Sequence, residues 1–302
     1  MGITKKDCYS LFYASKSGVS FEKVLTLGRL HLYATKKEIF EIQSDFYVKS
    51  TDSNSFIASD EYAEPLFKLL GASTIDSIDY SDYEKASFIH DLNLPLPVEL
   101  KNKYSVVIDS GTLEHVFNFP IGIKNCMEAL VVGGYFIGIS PANNQLGHGF
   151  YQFSPELSYR IFSNKNGFEV KRMFITASDQ NSYKWYEVAD PEKVNSRVTI
   201  SNNQPLVLIT IAKKIRESEI FKESPQQIDY VNSWNAHLDT SSKIKELKTG
   251  KLKYYFRKFM PKKIKSIVYN FRDVFFIERK ETDVLGTINT QHFKEVVLSE
   301  LI

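Results

Sequence analysis

The sequence predicts an α/β fold: a seven-stranded, mostly parallel sheet with helices on both faces and an antiparallel last strand, then a helical, basic C-terminal extension. Three observations predict it. Residues 104–141 read as a buried strand, an acidic turn, a helix, a Gly-Gly turn and a second buried strand. Upstream, short apolar runs at 21–27, 73–78 and 86–90 each stop at Gly or Asp. Downstream, apolar runs at 168–176 and 205–212 read as two further strands joined by a long polar link.

In chain order, 21–27 (FEKVLTL) is the first strand and stops at Gly28-Arg29. Residues 31–43 carry Leu32, Ile39 and Ile42 in partial helical phase. Residues 50–60 are polar and turn-rich, a surface loop. Residues 62–70 make a short amphipathic helix ended by Gly71. The second strand, 73–78, ends at Asp79; the third, 86–90, ends at Asp91-Leu92-Asn93. Pro95 and Pro97 then break the chain. The fourth strand, Tyr104 to Ile108, is short, apolar and β-branched, as the interior of a parallel sheet requires. It stops at Asp109-Ser110-Gly111, which leaves a carboxylate at the carboxyl end of a strand. Ligands bind at that edge in open α/β sheets.

Ile121, Ile123, Met127 and Leu130 recur at helical spacing. Val131-Val132-Gly133-Gly134 closes that helix before the fifth strand, 135–140. Ser154-Pro155 has the form of an N-cap followed by Pro at the first helical position, and Asn166-Gly167 ends that helix. The sixth and seventh strands are 168–176 and 205–212, with turns at Asp190-Pro191 and Ser201-Asn202-Asn203 between them. Residues 215–245 read as an irregular or helical linker. The domain division is therefore 1–214 for the α/β unit and 215–302 for the linker and extension.

Composition narrows the class. An apolar content of 43% with 14% aromatics supplies a sizeable core, and 25% charged residues is ordinary for a soluble protein. No apolar run is long enough to cross a bilayer, and no apolar segment follows the first residues as in a secretory signal. Cys8 and Cys126 cannot build a disulfide framework, so a reduced, cytoplasmic protein is expected. The charge is uneven. Residues 241–280 hold thirteen Lys or Arg against three Asp or Glu, although the whole chain carries only +2. An acidic body and a basic segment suggest separate tasks.

The unit at 104–141 resembles the second half of a class I S-adenosylmethionine-dependent methyltransferase, a Rossmann-like fold. Glu114-His115 stands where a Glu-His pair often follows the acidic turn. Leu130-Val131-Val132-Gly133-Gly134 stands where Leu-Lys-Pro-Gly-Gly is common, with Val in place of Lys and Pro. The resemblance covers residues 21–213. It implies S-adenosylmethionine as cofactor. Asp79 matches the acid that accepts from the ribose diol, with Tyr80 beside it to pack on adenine or ribose. Asp91 matches the acid that accepts from the adenine amine, with the Leu92 N–H donating to the ring. Asp109 and Ser110 complete the strand-end series.

The first strand departs from the family. It offers Gly28-Arg29 without a preceding acid and without G-x-G-x-G, and an insertion separates it from Asp79. Arg29 is a candidate clamp for the cofactor carboxylate. For the reaction, methyl transfer to oxygen or nitrogen needs an aligned acceptor and a base. His148, within Gly147-His148-Gly149, and His115 are the candidate bases, with Glu114 or Asp109 as orienter. Tyr151 and Gln152 are candidate acceptor-binding residues. No clustered Cys and no His pair at ligand spacing suggests a metal. The resemblance implies a small-molecule or saccharide acceptor, a sugar or sugar nucleotide, of the kind methylated in surface-polysaccharide biosynthesis. Asp109-Ser110-Gly111-Thr112 stands where base-amine methyltransferases carry Asn/Asp-Pro-Pro-Tyr/Phe, which argues against a nucleic acid. The alternative is a non-catalytic binding or assembly protein that kept the fold and lost the cofactor site.

The basic stretch at 249–280 contains two amphipathic patterns, Leu252/Phe256/Phe259 and Ile264/Ile267/Val268/Phe271. Three partners are open for it: the body or a second subunit, an anionic membrane at its inner face, or nucleic acid, for which no recognised module is present.

Overall fold

The computed structural model describes residues 2–46, 61–179, 184–243, 280–283 and 286–302. Its strands are β1 (Gly2–Ile3), β2 (Lys23–Leu27), β3 (His31–Leu32), β4 (Thr74–Asp79), β5 (Phe88–Ile89), β6 (Tyr104–Ser110), β7 (Leu130–Pro141), β8 (Phe168–Ala177), β9 (Trp185–Val188), β10 (Leu206–Lys214), β11 (Lys280–Asp283), β12 (Gly286–Asn289) and β13 (Phe293–Val296). Its helices are α1 (Lys5–Lys16), α2 (Lys36–Asp45), α3 (Glu64–Leu69), α4 (Phe119–Ala129), α5 (Pro155–Ile161), α6 (Pro191–Val194) and α7 (Ile228–Lys243).

One mixed sheet has the order β13-β9-β8-β10-β7-β6-β2-β4-β5. From β2 the chain winds outward through β4 to β5, returns to β6 beside β2, and continues to β7. These five strands are parallel. β10 runs antiparallel between β7 and β8. The reversal between β2 and β6 is a topological switch point, where crevices open at the carboxyl edge. The result is an α/β fold with a mixed sheet that is parallel through its centre, as the sequence leads one to expect.

Side chains alternate across the sheet and split the core in two. Leu25, Leu27 and Val107 join Ile123, Met127 and Ile161 of α4 and α5 on one face. Val24, Val106 and Ile108 join Leu11 and Phe12 of α1 on the other. α1 was absent from the sequence reading, although Thr4-x-x-Asp7 is a capping-box pattern. Thr4 and Asp7 do form that box, each side chain bonding the other's backbone N–H. α2, capped in the same way by Thr35 and Glu38, and α3 occupy the insertion between β2 and β4.

Several expectations are corrected. Among the described residues the sheet has nine strands, not seven. The link after β8 contains Trp185–Val188, whose Trp185, Tyr186 and Val188 are buried, and it pairs with β8. β13 then pairs antiparallel with β9, so the C-terminal segment supplies an edge strand of the main sheet. Residues 31–32 are β3, not helix, and pair with β1. The amphipathic patterns at 251–271 lie outside the described residues, as does the whole loop at 50–60; of the expected helical extension, Ile228–Lys243 is helix, whereas Lys280–Asp283, Gly286–Asn289 and Phe293–Val296 are strands. No helix among the described residues is long and apolar enough to cross a membrane.

α4 stops at Ala129, and β7 already begins at Leu130. The Gly-Gly pair therefore sits within β7, beside a register shift of β6 between Tyr104 and Val106. Gly133 has φ +90°. A Cβ on Gly134 would lie 2.9 Å from the Val131 carbonyl oxygen and 3.1 Å from those of Ser105 and Tyr104. Three backbone oxygens cannot yield as a flexible side chain can. Gly134→Ala is expected to cost about 1–3 kcal/mol, read as a lower urea midpoint with an unchanged slope.

Candidate functional site

The carboxyl ends of the parallel strands converge on two neighbouring cavities. The first, of about 400 Å³, is lined by Gly28, Ile78, Asp79, Tyr80, His90, Asp91, Leu92, Asn93, Thr112, His115 and Val116. Gly28 has φ +72°, and its N–H donates to the Ile78 carbonyl at 2.8 Å, which turns the chain sharply off β2. Asp79 Oδ1 accepts from Ser81 N–H at 3.1 Å. Asp91 Oδ1 accepts from the Asn93 backbone N–H at 2.9 Å and side-chain amide at 2.7 Å. Those donors, the backbone N–H first, hold Asp91 below the usual carboxylate range. Tyr80 is exposed and Leu92 is buried at the rim.

The second cavity, of about 330 Å³, is lined by Gly111, Glu114, His115, Ser140, Gln145, His148 and Trp185 among others. Its far wall is the N-terminal segment, with Gly2, Thr4, Lys6 and Asp7. Lys6 Nζ donates to the carbonyls of Ala177 and Asp179, and burial lowers its pKa to about 8. Sequence reasoning began at residue 21 and missed this wall; the capping-box pattern was its signal. His115 lines both cavities.

The turn after β6 places these groups. Asp109 is buried, and its Oδ1 accepts from the backbone N–H of Thr112 (3.0 Å) and Leu113 (3.2 Å). Thr112 Oγ1 donates to the Leu27 carbonyl at 2.8 Å, tying this turn to the end of β2. The short 3-10 turn Leu113–His115 follows. Glu114 is fully buried, and neither carboxylate oxygen has a hydrogen-bond partner among the described residues. His148 Nε2 stands 3.4 Å from Glu114 Oε1, and its ring is 5.5 Å from that of His115. The Glu114 carbonyl accepts from Phe150 N–H at 2.7 Å. Gly149, at φ +80°, permits that approach, since a Cβ there would meet the same carbonyl oxygen at 2.8 Å. The glycine beside His148 thus serves a backbone clamp.

The structure brings His148, His115 and Glu114 together; their ligand-type atoms all lie within 4.8 Å of one another. Spacing along the chain gave no hint of that grouping, because His148 arrives from the loop after β7. Gly28, Asp79, Tyr80, Asp91 and Leu92 share the first cavity. Other candidates lie elsewhere. Arg29 is a correction: its Nε bonds Glu64 at 2.6 Å and its guanidinium stacks on Tyr62 at 3.8 Å, so it faces a different hollow. Asp109 lines an internal void among Leu113, Phe136 and Phe153 rather than the first cavity, because its carboxylate is turned onto its own turn. Ser110 Oγ donates to the Gly2 carbonyl and borders the second cavity. Tyr151 and Gln152 line neither: Tyr151 bonds the Phe117 carbonyl at 2.6 Å, and Gln152 accepts from Gln145 N–H at 3.1 Å. Both brace the loop instead. A larger hollow, about 610 Å³, lies where β8 begins, at the amino edge of the sheet, and is crossed by Arg160 ion pairs.

No protein-family model matches the chain, and no curated protein matches it. Solved structures do. A methyltransferase candidate from Bacillus halodurans C-125 is 10% identical with a TM-score of 0.39, covering 70% of this chain and 99% of that one. An S-adenosylmethionine-dependent methyltransferase from Thermotoga maritima is 14% identical with a TM-score of 0.35, covering 70% and 91%. The YcgJ protein of Bacillus subtilis is 10% identical with a TM-score of 0.36, covering 71% and 99%. At these values the likenesses carry nothing about what this chain does.

Burial raises Asp109 above the carboxylate range, opposed by its two N–H donors, and it raises Glu114 too, with the Asp109 charge adding to the effect. The folded state therefore keeps protons that an unfolded carboxyl releases near pH 4. Stability falls as pH rises from about 4 through neutrality. Asp109→Asn retains the Oδ1 acceptor and removes the titrating group. Urea unfolding at about pH 5 and about pH 8 should show a loss of stability smaller than the wild type's by about 1 kcal/mol or more.

Proposed function

We propose that this chain transfers a methyl group from S-adenosylmethionine to a small-molecule or saccharide acceptor. The observation that carries the reading is the pair of cavities at the carboxyl edge of a doubly wound sheet, joined at His115. The first has the volume range of small-ligand sites and collects the strand-end residues that suit this cofactor. Asp79 would accept from the ribose diol, Tyr80 would pack against the ribose or adenine, Asp91 would accept from the adenine amine, and Leu92 N–H would donate to the ring. Asp91, held ionised by Asn93, is an acceptor only, as an exocyclic amine requires. Gly28 lets the backbone pass close. When bound, the cofactor supplies an electrophilic methyl group.

The remaining tasks fall to the second cavity. The acceptor must be held in line and its hydroxyl proton removed. His148 or His115 would take that proton. Desolvation, then the neighbouring His148 charge, keeps His115 below the ordinary imidazole value, so it stands neutral and ready to accept near pH 7. The wall of Thr4, Asp7, Ser140, Gln145 and Trp185 mixes hydrogen-bonding groups with one flat aromatic face. That mixture suits a sugar or sugar nucleotide, and a place in polysaccharide biosynthesis would follow. The single glycine after β2 and the engagement of Arg29 by Glu64 favour the opposing reading, a binding protein without the cofactor.

Thermal-melt titration with S-adenosylmethionine and S-adenosylhomocysteine separates them. Saturation at about a hundred times Kd should add about 2.7 kcal/mol, a shift of roughly 5–10 °C for a unit of this size. Asp79→Ala should remove the shift. No shift with either ligand at millimolar concentration would sink the enzyme reading. With an acceptor in hand, His115→Ala should lower kcat by about 10²–10⁴.

A further inference from the structure

We propose that Glu114, His115 and His148 bind one divalent first-row metal ion at the floor of the second cavity, and that this ion holds an acceptor hydroxyl. Binding of the ion stands on the geometry alone; its role at the acceptor rests on the methyl-transfer reading.

The first argument is an orphaned buried carboxyl group. Glu114 is fully buried with both oxygens lacking a hydrogen-bond partner among the described residues. Buried carboxylates are ordinarily paired or coordinate a metal. Lys6, the cation lining this cavity, spends its Nζ on the carbonyls of Ala177 and Asp179 instead. Glu114 lines the cavity in company with two imidazoles.

The second argument is distance. Metal–nitrogen and metal–oxygen bonds of about 2.1 Å at a tetrahedral angle place adjacent ligand atoms about 3.4 Å apart. His148 Nε2 and Glu114 Oε1 are 3.4 Å apart. All three ligand atoms lie within 4.8 Å of one another, so rotation of an exposed imidazole completes the set. The two imidazole rings lie 5.5 Å apart and are tilted by 51° rather than stacked.

The third argument is support. Glu114 is fixed by the 3-10 turn that Asp109 caps. His148 is pinned beside it by the Phe150 N–H to Glu114 carbonyl bond and by Gly149. Gly111 turns the chain here at φ +85°, a left-handed conformation that favours glycine. Backbone contacts at both ends of the carboxylate's surroundings hold ligands from two loops in register.

Two imidazoles and one carboxylate suit Zn²⁺, Co²⁺, Mn²⁺ or Fe²⁺ rather than Mg²⁺ or Ca²⁺. Three protein ligands leave positions open for water or an acceptor. An ion there would acidify a bound hydroxyl as it does water: the O–H bond breaks, the proton passes to solvent, and the oxygen keeps its electron pair on the metal. A vicinal diol of a saccharide would fill two open positions. An imidazole nitrogen that ligates the ion cannot also be the base, so occupation replaces His148 and His115 in that task.

The test uses the full chain, stripped with a chelator and dialysed. Titration with Co²⁺, followed by its visible absorption, should show one saturable site. Calorimetry with Zn²⁺ and Mn²⁺ should give one equivalent each. His148→Ala, at a half-exposed position that leaves the core intact, should weaken Co²⁺ binding at least about tenfold, and Glu114→Gln should do the same. Failure of all three metals to bind at submillimolar concentration, or binding unchanged in His148→Ala, overturns the site. The cofactor melt is run in parallel on the same stripped protein. A cofactor shift without metal binding removes the metal and keeps the methyltransferase reading. Metal binding without a cofactor shift keeps the site and removes its role at a methyl acceptor.

Discussion

The carboxyl edge of this protein depends on one buried turn. Asp109 Oδ1 takes the N–H groups of Thr112 and Leu113, and the Thr112 hydroxyl reaches across to the Leu27 carbonyl. Those bonds fix where β6 ends relative to β2, which are the strands flanking the topological reversal. They also aim the next three residues. Glu114 goes into the second cavity and His115 stands between the two. Without that turn, Gly149 and Phe150 would lose the backbone they dock on, and His148 would have no fixed place.

The arrangement is costly for the fold. Asp109 and Glu114 are both withdrawn from water within one turn of each other, and neither has a full set of partners. Burial without pairing disfavours the charged form. Groups held against their solution preference are common where a site must be ready before its ligand arrives. Stability is supplied elsewhere, by two apolar layers that sandwich the central strands. The N-terminal helix contributes to one of those layers and, through Thr4, Lys6 and Asp7, to the cavity wall as well. Packing and recognition are shared by the same short segment.

Much of the sheet was legible because buried parallel strands are written as apolar runs with abrupt ends. The five parallel strands and the β8–β10 pair fell within a few residues of where the sequence put them. The first-cavity residues were legible for the same reason, since each is the residue at which an apolar run stops. The edge was not. β9 and β13 are four residues each, and their assignment depends on a partner that sequence periodicity does not reveal. Arg29 was misread because its environment is set by Glu64 and Tyr62, some thirty-five residues away on the insertion. The grouping of His148 with Glu114 was half legible: both residues stood out, but only the Gly149 contact brings them to one point.

The pairing of β13 with β9 changes what the basic segment is in covalent terms. On its amino side the chain is fastened to the body through Ile228 N–H on Glu156 and Arg197 on Asp229. On its carboxyl side β13 is woven into the sheet, and His292 accepts from Ala189 N–H through its carbonyl. The described chain is therefore fastened to the body both before residue 244 and after residue 279. A single backbone cut between α7 and β13 would therefore release no peptide: the two fragments would stay associated through the β13–β9 strand pair, as a nicked but intact particle.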